Sequence, residues 1–160
     1  MRVGVISDTH GQVEYTRPAV RLFRSLDVNV VLHCGDIGSV AVVELFARWP
    51  THFVFGNCDY NQAELAAAIA ATGHTCHGLF GDLTLKGVRV ALLHSHERQR
   101  LSQTLETGDY GLVCYGHTHI AAIDRHGETM ALNPGAIYRA DPHSVAIVEL
   151  PSIEATIINL

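Results

Sequence analysis

Five short runs of apolar residues punctuate the chain: Val3 to Ile6, Val28 to Leu32, Phe53 to Phe55, Val88 to Leu93 and Leu112 to Tyr115. They are continuous rather than alternating, the pattern of strands covered on both faces of a largely parallel sheet. Helix-length segments separate the first three. Val13 to Leu26 carries an apolar stripe of Ala19, Val20 and Phe23. Ser39 to Trp49 opens on a capping serine and stops before Pro50, and Gln62 to Ala71 is alanine-rich and closes at Gly73. Strand alternating with helix predicts an α/β fold. The last third reads differently. Ile120 to Arg125 and Thr129 to Leu132 flank the turn His126-Gly127-Glu128, and two further strands, Ser144 to Leu150 and Ile153 to Leu160, flank Pro151. Thr75 to Phe80 and Asp82 to Lys86 predict another short pair about Gly81. The pattern predicts a mixed sheet, or two sheets packed together. No repeat or linker interrupts it, so one domain over residues 1–160 is expected.

The residues just beyond each buried run carry the chemistry. Val3–Ile6 leads to Asp8-Thr9-His10, Val28–Leu32 to Gly35-Asp36, and Phe53–Phe55 to Gly56-Asn57-Cys58-Asp59. Val88–Leu93 leads to His94-Ser95-His96, and Leu112–Tyr115 to Gly116-His117-Thr118-His119. The carboxyl ends of parallel strands share one edge of a sheet, where ligands bind. Residues far apart in sequence are therefore expected in one cleft. In extended backbone the i, i+2 pairs Asp8/His10 and His117/His119 project to one side, each bringing two donors to one place. Asp36 is a carboxylate able to bridge two cations, Asn57 offers an amide oxygen and His94 another imidazole. Seven donors exceed the needs of one ion and suit two divalent ions sharing Asp36. With no thiolate in the set, Mn²⁺ is taken first, with Fe, Zn²⁺, Ni²⁺ and Co²⁺ also suited. Two such ions, two aspartates and a bridging hydroxide leave a charge of about +1, a trap for an anion. Paired ions activate a shared water for in-line displacement, so the expected reaction is phosphate ester hydrolysis by a metal-bridging hydroxide.

Composition sets the boundaries. Of 160 residues 48% are apolar, enough for a substantial core. The net charge is −5 and Lys86 is the only lysine, which argues against nucleic-acid binding through a basic surface and against a polybasic membrane anchor. Cys34, Cys58, Cys76 and Cys114 form no C-x-x-C, the first polar residues come too early for a signal peptide, and no stretch approaches a membrane span, so a cytoplasmic location is expected. Eleven histidines are the anomaly. Beyond the four in the set, His33 is expected as a satisfied buried residue. His52, His74, His77, His126 and His143 are expected on solvated turns and strand ends. Arg98 and Arg100 are expected on a solvated helix face, and Asp59 to orient its neighbours.

D-T-H at 8–10, G-D at 35–36, G-N-C-D at 56–59, His94, G-H-T-H at 116–119 and Asn133-Pro134-Gly135 together resemble the calcineurin-like metallophosphoesterase superfamily. The chain length and the cysteine in G-N-C-D resemble its small bacterial and archaeal phosphodiesterases. The resemblance implies a four-layer αββα sandwich with two mixed β-sheets. It also implies one ion held by Asp8, His10, Asp36 and His119, and the other by Asp36, Asn57, His94 and His117. Two departures stand out. Many members carry histidine where Cys58 stands, there assisting the leaving group, and residues 94–96 read His-Ser-His where His-Gly-His is frequent. Cys58 and His96 are therefore the candidates for the general acid, a thiol being the poorer donor. A diester's single charge suits a site without a lysine and arginine cluster, which makes a small phosphodiester the expected substrate; self-association is left open. The rival is a catalytically weak interaction scaffold of the same fold, as the superfamily's retromer subunit is similar to. Such a scaffold should have lost ligands, and all seven are present. A plain nucleotide-binding domain is disfavoured because Gly4 to Gly11 holds no G-x-G-x-x-G.

Overall fold

The structure is a computed structural model covering residues 1–160. In chain order its elements are β1 (Arg2–Ile6), α1 (Val13–Ser25), β2 (Val30–His33), α2 (Val40–Glu44), β3 (Thr51–Phe53), α3 (Gln62–Ala71), β4 (Thr75–Cys76), β5 (Phe80–Leu85), β6 (Val88–Leu93), α4 (Arg98–Glu106), β7 (Leu112–Cys114), β8 (Ala122–His126), β9 (Thr129–Asn133), β10 (Ser144–Glu149) and β11 (Glu154–Asn159). They form two mixed sheets. One has the order β11-β10-β1-β2-β3-β4 and the other β5-β6-β7-β9-β8. Strands β1 to β4 run parallel, as do β6, β7 and β9, while β10, β11, β5 and β8 add antiparallel edges.

Three apolar clusters explain the layering. Between the sheets Val3, Val5 and Leu32 meet Val90, Leu92, Leu112 and Leu132. On the outer face of the first sheet Ile6, Val31 and Phe53 pack on Ala19 and Phe23 of α1, Val42 and Val43 of α2, and Leu65 and Ile69 of α3. The outer face of the second sheet packs Ala91, Leu93 and Val113 on Leu101 and Leu105 of α4. Each central strand alternates its side chains between two apolar layers, so its sequence reads as an unbroken hydrophobic run. The result is the expected αββα sandwich.

Two local expectations are corrected. Thr75–Phe80 and Asp82–Lys86 do not pair about Gly81: β4 joins the first sheet and β5 the second, with β5 paired to β6. Gly81 is an interior residue of β5, buried with the His77 ring 3.1 Å from where its Cβ would be. The turn lies instead at Lys86-Gly87, both at positive φ (50° and 80°), the conformation a two-residue hairpin needs. Helix α2 is also shorter than the Ser39–Trp49 segment, although Ser39 does cap it through Val42 N–H.

Candidate metal centre

The carboxyl ends of β1, β2, β3, β6 and β7 bring their loops to one edge of the sandwich. There Asp8 Oδ1 faces the Nε2 atoms of His119 at 3.1 Å, His10 at 3.8 Å and His94 at 3.9 Å. Asp36 Oδ2 faces the same His94 and His10 nitrogens at 3.3 and 3.6 Å. Two donors bound to one ion at about 2.0–2.2 Å cannot stand more than roughly 4.4 Å apart, and every one of these separations meets that limit.

The unused atoms are the stronger test. Asp8 Oδ1, His10 Nε2 and His94 Nε2 are sealed from solvent, yet none has a hydrogen-bond partner of sound geometry. Buried polar atoms are normally paired, since an unsatisfied one costs about 1–3 kcal/mol. For Asp8, Asp36, His94 and His119 the opposite atom is tied down. Asp8 Oδ2 accepts from Ser7 Oγ at 2.6 Å and from His117 N–H at 3.1 Å, and Asp36 Oδ1 accepts from Cys58 N–H at 2.8 Å. His94 Nδ1 meets the Cys34 carbonyl at 2.8 Å and His119 Nδ1 the Arg139 carbonyl at 3.2 Å. Such outer bonds fix each ring so that Nε2 is free to ligate. The residues present thus fit divalent cations.

Asp8/His10 and His117/His119 do not converge by strand alternation. Asp8, His10, Asp36, His117 and His119 all have positive φ, between 45° and 75°. Left-handed backbone is uncommon outside glycine and gathers at functional sites, where the surrounding structure holds it in place. His119 turns toward His10, ring centroids 5.6 Å apart, and His117 toward His94 at 5.1 Å. The i, i+2 pair therefore splits to the two flanks of Asp8 rather than serving one place. Asn57 is exposed beside Cys58, its amide nitrogen 3.5 Å from the thiol, and His117 is exposed too, so among the seven these two stand at the solvent edge.

Opposing charges set the electrostatics. Burial alone raises the Asp8 carboxyl, but His119, His94 and the Ser7 hydroxyl outweigh it and hold it below the usual range. Asp36 is likewise pulled up by burial and driven down further by His94 and the Cys58 N–H. His94 is lowered by burial yet ends raised through Asp36 and Asp8, and Asp8 raises His119 directly. His117 is lowered by burial and by the neighbouring His94.

The candidate acids sit on different sides. His96 lies by His94 and His117, at 5.6 and 6.3 Å between rings, with its buried Nδ1 unpartnered. The Cys58 sulfur lies within 4.8 Å of donor atoms of His10 and Asp36, a proximity not legible in the spacing of the donors. Burial and the Asp36 charge push that thiol up, making it a weaker acid.

Supporting residues explain several motifs. The glycines before Asn57 and His117 are demanded by close approach. A Cβ on Gly56 would lie 2.1 Å from Asp36 Oδ1 and 2.6 Å from its backbone nitrogen, and one on Gly116 would lie 2.0 Å from Ser7 Oγ. Replacing Gly56 with alanine is accordingly expected to cost about 1–3 kcal/mol through overpacking and to weaken metal binding. Denaturant melts and calorimetry check this, and an unchanged midpoint would contradict the packing. Asp59, buried, accepts N–H bonds from Gly38 at 2.9 Å and Gly56 at 2.8 Å, lacing the Asp36 and Asn57 loops together. Asn133 donates to Gly116 O and Thr118 Oγ1 and accepts from Gly135 N–H, pinning the 116–119 loop. Buried His33 contacts Thr9 Oγ1 at 3.0 Å, accepts from Gly35 N–H and stacks on Phe53, with burial lowering its pKa to about 3. His52 and His77 are half-buried rather than solvated, their rings stacked and their nitrogens 2.9 Å apart. Sequence reading missed Tyr138 and Arg139: Tyr138 N–H donates to the Asp8 carbonyl, and the Tyr138 ring lies 6.1 Å from His10. Only their place after Asn133-Pro134-Gly135 hinted at them.

An αββα sandwich carrying such a cleft defines a class, the hydrolases of phosphoric esters that work with divalent metals. The chain belongs to the calcineurin-like phosphoesterase superfamily, whose domain profile matches residues 1–152. It is 27% identical over 138 residues to the phosphodiesterase MJ0936 of Methanocaldococcus jannaschii, covering 84% of this chain and 83% of the relative. It is 29% identical over 137 residues to the probable metallophosphoesterase YsnB of Bacillus subtilis, covering 86% and 75%. Among solved structures, an archaeal phosphodiesterase superposes over the whole of both chains with a TM-score of 0.93 at 25% identity. The Zn²⁺ complex of Vps29 from Entamoeba histolytica shares the fold, with a TM-score of 0.71 at 21% identity, covering 99% of this chain and 91% of that one. No helix is long and apolar enough to cross a membrane.

Proposed function

We propose that this chain is a phosphodiesterase acting with two divalent ions, Mn²⁺ first among them. The observation that carries the reading is the convergence of Asp8 Oδ1 and Asp36 Oδ2 on three imidazole Nε2 atoms at 3.1–3.9 Å, with three of those five atoms buried and unpartnered. Asp8, His10, Asp36 and His119 would hold one ion, and Asp36, Asn57, His94 and His117 the other. When bound, paired ions lower the pKa of a shared water and neutralise phosphate oxygens.

The chain's own residues do the rest. Asp36 is shared: its Oδ2 stands between His10 and His94, one from each flank. Asp8 and its partners keep the rings in orientation. His96, lying beside His94 and His117, protonates the departing oxygen, and Cys58 is the lesser donor because its thiol is pushed up. Preference for a diester rests on charge. Arg100 is paired to Glu97 at 2.9 Å, and no cluster of cations stands ready to clamp a dianion. MJ0936, named a phosphodiesterase, supports the same choice. Four unpaired cysteines favour a reducing compartment, the cytoplasm.

The test is a panel of p-nitrophenyl and alkyl esters in Mn²⁺. The diester is expected to turn over faster than the monoester. His96→Ala should slow alkyl leaving groups roughly 10²-fold or more while sparing p-nitrophenolate, which needs no proton. Cys58→His should partly restore them. Monoester preference would refute the substrate class, and an even loss across leaving groups would move His96 out of the acid role.

A further inference from the structure

The flank of the site beside His10 carries an aromatic rim. The Tyr138 ring lies 6.1 Å from His10 and 5.8 Å from Tyr15, and Tyr15 lies 5.2 Å from His143. The Arg139 guanidinium sits 5.5 Å over the Tyr138 ring. These contacts leave polar groups of the rim unused. Tyr15 is 47% exposed, the tyrosine hydroxyls have no hydrogen-bond partner in the fold, and Arg139 is exposed with no carboxylate beside it.

The rim is nevertheless fixed relative to the metal donors. Ile137 N–H donates to the Ser7 carbonyl at 3.2 Å, and Tyr138 N–H to the Asp8 carbonyl at 3.1 Å. The Arg139 carbonyl meets His119 Nδ1 at 3.2 Å, and Arg139 itself is held at φ 56°. These bonds tie the main chain of Tyr138 and Arg139 to the Asp8 loop and to His119, so the base of the rim keeps its place beside the metal donors. A rigid aromatic surface with an unpaired guanidinium suits a planar group carrying negative charge, because rings stack and cations sit over π faces.

We propose that Tyr138, Tyr15 and Arg139 form the subsite for the ester group that stays on phosphorus, and that this subsite selects planar aromatic groups over alkyl ones. The inference rests on the phosphodiesterase reading and adds the substrate class. The side follows from geometry. His96, the candidate donor to the leaving oxygen, flanks His94 and His117, whereas Tyr138 flanks His10, across Asp8 and Asp36 from it. A group lying on Tyr138 therefore points away from the departing oxygen. Arg139 pairs with a non-bridging phosphate oxygen, and its guanidinium plane stacks against the same group.

Two experiments together decide it. Three diesters share p-nitrophenolate as leaving group and differ in the retained ester, which is methyl, phenyl or thymidine. In Mn²⁺ the wild type is expected to favour phenyl and thymidine over methyl by roughly tenfold or more in kcat/KM, the scale of one aromatic stack. Tyr138→Leu and Tyr15→Leu should each bring that ratio toward one, and Arg139→Gln should raise KM for all three. Tyr60→Leu, an 86% exposed tyrosine beyond Cys58, should leave the ratio as it is. The second experiment needs no turnover. Thymidylate added to the Zn²⁺-loaded protein should show upfield ring-current shifts of its base protons and outcompete methyl phosphate, and Tyr138→Leu should abolish both. A ratio unchanged in Tyr138→Leu overturns the subsite, as does thymidylate binding without ring-current shifts. So does a rim that Tyr15→Leu shows to be a contact between two copies of the chain. Failure of the phosphodiesterase reading looks different: no diester is hydrolysed, while the thymidylate shifts persist. Phenyl and thymidine esters then separate a general aryl preference from a nucleoside one.

Discussion

Asp36→Asn removes diester hydrolysis by roughly a thousandfold or more and abolishes tight binding of both ions. Outer hydrogen-bond partners of metal ligands are alone worth about 10–100-fold, and here two ions lose one carboxylate at once. The substitution is informative because it spares the fold. The amide oxygen can still accept the Cys58 N–H bond that Asp36 Oδ1 takes at 2.8 Å, while the group facing His10 and His94 loses its charge. Circular dichroism should match the parent. Metal stoichiometry by calorimetry should fall below one per chain, and retention of more than a tenth of the activity would sink the shared-carboxylate reading.

Dialysis against a chelator stops diester hydrolysis, and Mn²⁺ restores it. Saturating metal should also stabilise the protein. At a hundredfold excess over Kd, linkage contributes about 2.7 kcal/mol, which for a chain of this size is roughly 5–10 °C in Tm. The pH dependence follows from the imidazoles. His94 and His119 are raised above 6.5 by Asp36 and Asp8, so in the metal-free protein they stay protonated to higher pH. Their contribution to stability is fully present below 6.5 and is lost as pH rises through the shifted values. Asp8 and Asp36 are lowered, so theirs is present above about 3.8 and is lost as pH falls through the shifted values. Metal ligation requires neutral imidazole, so apparent affinity rises with pH across the raised histidine values. Titration calorimetry at several pH values checks the slope. An affinity that falls with rising pH, or hydrolysis that persists in metal-free protein, would contradict the proposal.

The strand runs were legible because burial on both faces leaves no polar alternation to obscure them. Val3–Ile6 and Val88–Leu93 fall within β1 and β6, and the motif after each run stands at the shared edge. Gln62–Ala71 coincides with α3, since alanine-rich sequence and a closing glycine are local signals. The strands about Gly81 misled for a physical reason. A glycine reads as a turn in sequence, but β4 and β5 belong to different sheets, and Gly81 is small to admit His77. His52 and His77 read as surface residues because nothing local marks two imidazoles brought together across β3 and the loop after β4.

Unaided, the chain of residues determined the donor types, their position after buried strands, and the order of motifs that marks the superfamily. These depend on local periodicity and on chemistry written in side chains. Only the tertiary structure decided how the donors meet. Left-handed backbone at Asp8, His10, Asp36, His117 and His119 replaces strand alternation, and His117 and His119 separate to opposite flanks. It also decided that Gly56 and Gly116 make room for Asp36 and Ser7, and that Tyr138 stands beside His10. Such relations join residues far apart in sequence through sheet register and loop packing, so no local pattern encodes them.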